Sequence, residues 1–154
     1  MSLVDLLSRG VNSVLDEPEV NHELSELVTR SGLPEEAREH IRQTLRAMPG
    51  LLASMQMSLT GESVGSPARA VFATVVAYLL EEDDLIPSHA GLPLLGLLDD
   101  VYFLHAAACA LKDQLGRVDT RSVVGGAKLL EDVLPSGVTS ELRTKLNRAT
   151  AAAD

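Results

Sequence analysis

Four carboxylates stand in two pairs, Asp83-Asp84 and Asp99-Asp100, at the ends of the stretch DDLIPSHAGLPLLGLLDD. Between them lie apolar residues, Pro87, Pro93, Gly91, Gly96 and one imidazole, His89. Like charges gathered at one place raise each other's pKa unless a cation or a hydrogen-bond donor answers them. A metal reading takes Asp84, Asp99 and Asp100 as hard oxygen ligands with His89 beside them, a set suited to Mg²⁺, Mn²⁺ or Ca²⁺. Successive helical residues point about 100° apart, so Asp99 and Asp100 cannot both face one ion without a bend. The simpler reading needs no cofactor: Asp99 and Asp100 complement a helix dipole and cap open N–H groups near a helix start.

The remaining reactive residue types do not assemble an enzyme. Ser88-His89 beside an aspartate has the composition of a hydrolase triad, but adjacent residues cannot hold the nucleophile–base geometry. No G-x-S-x-G and no phosphate-cradling glycine loop is present. His105 lies beside an apolar stripe and reads as a structural residue, while His22 and His40 fall on amphipathic segments and read as surface residues. Cys109 stands alone in HAAACAL and reads as a buried, inert thiol.

The elements that must position these residues are helical. Apolar residues recur at three- and four-residue spacings, and no period-2 strand pattern appears. Ser2 and Asp5 have capping-box spacing ahead of the stripe Leu3, Leu6, Leu7, Val11, Val14 and Leu15. A second segment carries Leu24, Leu27 and Val28 up to Ser31-Gly32. A third starts at Pro34 with the face Ala37, Ile41, Leu45 and Met48 and is expected to end at Pro49-Gly50, before a separate short helix LLASMQMSLTG. Ser66 is the expected N-cap for a helix starting at Pro67, and Val71–Leu80 is apolar on every side, the mark of a helix covered all round. A partner helix runs from about Pro93 or Leu97 to Leu115 with the stripe Leu97, Val101, Leu104, Ala108, Leu111 and Leu115. Two further helices are expected, near Thr120–Leu134, weakened by Gly125-Gly126, and near Thr139–Ala151.

The fold class is therefore all-α: one compact multi-helix bundle around a central apolar helical hairpin. Residues 1–61 supply amphipathic N-terminal helices, 66–115 the hairpin and 119–151 the C-terminal helices. In an antiparallel hairpin, Glu81–Asp84 gather at the same pole as Asp99-Asp100, with Pro87 and Gly96 shaping the connection.

Composition limits the partners. The chain has 154 residues, 45% hydrophobic and 3% aromatic, with a formal net charge of -9. That charge repels phosphate backbones and the aromatic set for base stacking is missing, so nucleic acid is not expected as a partner. The longest uncharged runs fall short of the roughly 18 residues of a spanning helix, and no signal peptide is legible, so the chain reads as a bacterial-type cytoplasmic protein.

The ordered residues Asp84, Leu85, Ile86 and Pro87, then Gly96, Leu97, Leu98, Asp99 and Asp100, resemble the signature of the DUF1232 (YkvA-like) family over about residues 71–111. Glu82 stands where the family has proline, and Ser88 where it has an acid. The resemblance implies a helical-hairpin element, often membrane-associated in that family, and no defined activity. The expectation is a non-enzymatic interaction or accessory protein with a protein partner, including a homodimer through one of the N-terminal helices. The alternative is a divalent-metal-dependent protein using Asp83, Asp84, Asp99 and Asp100; the second alternative is peripheral membrane association.

Overall fold

A computed structural model describes residues 2–61, 66–80, 93–116 and 118–153. Among them are seven α-helices and no strand: α1 Leu3–Leu15, α2 Pro18–Arg30, α3 Glu36–Leu59, α4 Pro67–Leu80, α5 Pro93–Ala110, α6 Thr120–Val133 and α7 Ser136–Ala153. A 3-10 turn, Lys112–Gln114, follows α5.

Local chemistry starts and stops these helices. The Ser2 hydroxyl accepts from the Asp5 amide at 3.2 Å while the Asp5 carboxylate accepts from Ser2, so the capping box forms. Ser66 Oγ accepts from the Arg69 amide at 3.2 Å at the head of α4, and the Asp119 carboxylate accepts from the Arg121 and Ser122 amides at the head of α6. Gly32 ends α2 in the left-handed region at φ 70°. Its amide bonds to the Thr29 carbonyl and that of Leu33 to the Val28 carbonyl, so the last carbonyls of α2 find donors.

α5 is the axis of the bundle and packs against all six other helices. Its residues Leu98, Val101, Tyr102, Phe103 and Leu104 are fully buried, so the helix is enclosed on every side. That is why its sequence shows little amphipathic contrast.

Three expectations are corrected. α3 does not end at Pro49-Gly50 but runs through both to Leu59, so LLASMQMSLTG is its second half. An interior proline removes one helical hydrogen bond and costs about 3 kcal/mol. Here the stripe Ile41, Leu45, Met48 continues in register as Leu52, Met55 and Leu59, all buried, and that packing outweighs the local penalty. α4 is covered on one side only: Val71, Val75 and Tyr78 are buried, while Ala73, Ala77 and Leu80 are exposed. Finally, Gly96 is a buried helical residue inside α5, which starts at Pro93, and so is not part of the connection it was expected to shape. Pro87 and the rest of 81–92 lie outside the described residues.

Candidate functional site

Asp99 is fully buried within α5. It is the seventh residue of the helix, and the first turn of α5 carries no acid, so Asp99 and Asp100 stand beyond the helix start where the sequence had placed them. The hydroxyl of Tyr78, on α4, donates to Asp99 Oδ2 at 3.2 Å. One helical turn beyond Asp99, Phe103 stacks on the same Tyr78 ring, with centroids 4.5 Å apart and planes inclined by 24°. From α7, the Lys145 ammonium sits 4.6 Å from the centroid of Tyr78, a cation held by the ring's negative face. The carboxylate is thus built into a junction of α4, α5 and α7. Asp100 is half-buried beside it. Asp83, Asp84 and His89, the other members of the expected acidic pole, lie outside the described residues. Among the described residues, no three His, Cys, Asp or Glu side chains are grouped to hold a metal ion.

A second polar junction ties α5, α6 and α7. The Tyr102 hydroxyl donates to Glu131 Oε1 at 2.9 Å and accepts from Arg143 Nε at 2.9 Å, and Arg143 Nη2 pairs with the same Glu131 oxygen. A hollow of about 260 Å³ borders this junction, with Cys109 and Asn147 on its wall. Cys109 is half-buried, not fully buried as its alanine-rich setting suggested. Burial pushes its thiol up against a smaller downward pull from Lys112, which keeps the sulfur protonated and weakly nucleophilic.

A recess lies between α3 and α6 over α5, with a volume of about 470 Å³. His40, Gln43, Thr44 and Ala47 come from one face of α3, and Ser122, Gly125, Gly126 and Leu129 from one face of α6. Both sets follow the same spacing of three, four and seven residues, which marks a single helical stripe. His105 of α5 closes the floor and is only 4% exposed. Its Nδ1 lies 2.8 Å from the Val101 carbonyl. Because a carbonyl only accepts, Nδ1 carries the proton and Nε2 keeps its lone pair. Burial lowers the His105 pKa below 6.5, against a smaller opposing effect of the Val101 bond, so the ring is neutral at pH 7.

Gly126 explains how the imidazole fits. A Cβ there would lie 2.9 Å from His105 Cδ2, 3.1 Å from Nε2 and 3.3 Å from Thr44 Cγ2. The glycine pair that weakens α6 in isolation is therefore what lets α6 close over His105. His40 is exposed at the rim of this recess, and His22 is exposed on α2, 3.1 Å from Glu26. Both are surface residues, as their amphipathic settings imply.

Sequence reasoning named Asp99 and Asp100 but missed Tyr78, Glu131, Arg143 and the pocket role of His105. A signal for the first two junctions was present. The chain has only two tyrosines, both in very apolar helices, and a buried phenol needs a partner for its hydroxyl. Each is fully buried and each hydroxyl meets a carboxylate. A scan of protein-family models and searches of curated proteins and of solved structures returned no match to this chain.

Proposed function

We propose that this chain is a non-enzymatic interaction or accessory protein of the cytoplasm, DUF1232-like in its central hairpin, that binds a protein partner. The outer side of α4 carries this reading. Leu80 is 61% exposed there, next to exposed Ala73 and Ala77 and half-buried Phe72, Val76 and Leu79. A contiguous apolar strip on one helix is the kind of surface a partner covers. The net charge of -9 favours a basic or uncharged partner over an acidic one.

A second copy of the chain is one such partner, and α1 is the place for it among the N-terminal helices. Leu6 is 52% exposed on α1, whereas the α3 face Ala37, Ile41, Leu45 and Met48 is wholly inside the core. Among the described residues no helix is long and apolar enough to cross a membrane.

The test compares the unsubstituted protein with Leu80→Glu and Leu6→Glu, both at exposed positions. Light scattering at high micromolar concentration reads self-association, and capture from the native host reads a foreign partner. The expected result is a complex formed by the unsubstituted protein and lost in one variant whose melting temperature is unchanged. A chain that stays monomeric, and whose captured proteins are the same for all three forms, overturns the reading. Flotation with vesicles that is lost in Leu80→Glu would instead establish the peripheral-membrane alternative.

A further inference from the structure

We propose that the recess between α3 and α6 binds a small uncharged molecule that offers an N–H or O–H donor, a primary amide or an alcohol, to His105 Nε2. This goes beyond the partner surface on α4 and uses different elements. The floor supplies an acceptor of fixed direction: the His105 side chain is held in the core at 4% exposure, its Nδ1–H is committed to Val101, and its Cδ2–Nε2 edge faces Gly126 on the wall of the recess it lines. Among the described residues no donor from the protein reaches Nε2. His105 lines the recess, so a ligand that donates to Nε2 there takes the place of water.

The rest of the lining selects against charge. In a chain that is 23% charged, the nine lining residues include no Asp, Glu, Lys or Arg. A carboxylate would set its lone pairs against the lone pair of Nε2 and find no fixed countercharge. A metal ion would find two imidazoles and, among the described residues, no third His, Cys, Asp or Glu grouped with them. A neutral donor fits the floor, while Gln43, Ser122 and His40 at the exposed rim can bond the rest of it. The volume of about 470 Å³ lies within the roughly 300–1,000 Å³ common for small-molecule pockets.

Nicotinamide and nicotinate separate the chemistry, because they differ in amide donor against carboxylate acceptor on the same ring; 1,2-propanediol serves as the alcohol probe. Each is titrated into the full chain while backbone amide signals and the His105 ring nitrogens are followed by NMR. Nicotinamide or the diol is expected to shift Gly125, Gly126 and His105 Nε2 in a saturable way, with nicotinate at least tenfold weaker. Gly125→Leu places a side chain where nothing lies within 4 Å of the added Cβ, so the fold is kept and the pocket mouth is filled. It is expected to abolish those shifts. The proposal is overturned if neither neutral probe moves the pocket signals, if nicotinate binds as well as nicotinamide, or if folded Gly125→Leu still binds.

Discussion

Gly125 and Gly126 are neighbours on α6, yet alanine at the two positions should move stability in opposite directions. Replacing a helical glycine by alanine stabilises by about 0.5–1 kcal/mol when the added methyl meets nothing. That is the case at Gly125, which has nothing within 4 Å of an added Cβ. For a domain of this size the gain is a rise of roughly 1–4 °C in melting temperature. At Gly126 the same helical gain competes with contacts of 2.9 and 3.1 Å to the His105 ring and 3.3 Å to Thr44. His105 cannot swing aside, because it is buried and held at Nδ1 by the Val101 carbonyl 2.8 Å away. Overpacking of this kind costs about 1–3 kcal/mol, which leaves a net loss of about 1–2 kcal/mol. The expected change is a fall of roughly 2–8 °C. Calorimetric melting of both variants reads the signs directly. A second cycle made on His105→Ala isolates the contact: there, Gly126→Ala should become harmless or stabilising. If Gly126→Ala raises the melting temperature as Gly125→Ala does, His105 is not held against α6 and the pocket floor described above is wrong.

Other expected outcomes test the remaining joints. Tyr78→Phe keeps the stack on Phe103 but removes the donor to buried Asp99, and should cost about 1.5–3 kcal/mol in denaturant unfolding; an unchanged midpoint would show that the bond contributes nothing. His105 is held neutral by burial while in the unfolded chain it protonates near 6.5, so its contribution is fully present above that pH. Stability should fall as pH drops through 6.5 toward the lower folded value, and His105→Gln should flatten that part of the profile, with exposed His40 the other titratable group on the pocket. Saturating Mg²⁺, Mn²⁺ or Ca²⁺ should leave the melting temperature unchanged; a saturable rise abolished by Asp99→Asn would establish the metal reading. Gly96→Val should lower the melting temperature, because a branched side chain would be added at a buried position of α5; no change would show slack packing there.

The helical architecture was legible because amphipathic spacing is a local property. The stripes of α1, α2, α6 and α7 and the caps Ser2, Ser66 and Gly32 each lie within a few residues of the structure they direct. The failures came where a distant contact decided the outcome. Pro49 is a local stop signal, but the residues on both sides of it fall on one stripe that the core buries. The all-apolar sequence of α4 suggested complete cover, yet apolar composition says only that a surface can be buried. One side of α4 meets α5 and α7, and the other carries Leu80 outward.

The same distinction governs the acidic residues. In sequence, Asp99 and Asp100 are a matched pair beside Asp83 and Asp84, and pairing invites a shared role. On α5 they separate: Asp99 turns inward to Tyr78 and Asp100 stays half-buried. A carboxyl group enclosed in an apolar helix persists only where hydrogen-bond partners are supplied from elsewhere in the fold. Here the phenol comes from 21 residues upstream, and the Lys145 cation on that phenol ring comes from α7. None of this follows from the Asp-Asp dipeptide, whereas an aromatic-poor chain that places its two tyrosines in its most apolar helices does announce buried hydroxyls in need of partners. The phenols were thus the more informative residues. The Tyr78–Asp99 bond makes the carboxylate a fixed part of the α4–α5–α7 junction, and a metal bound at Asp99 would have to compete with that donor for Oδ2.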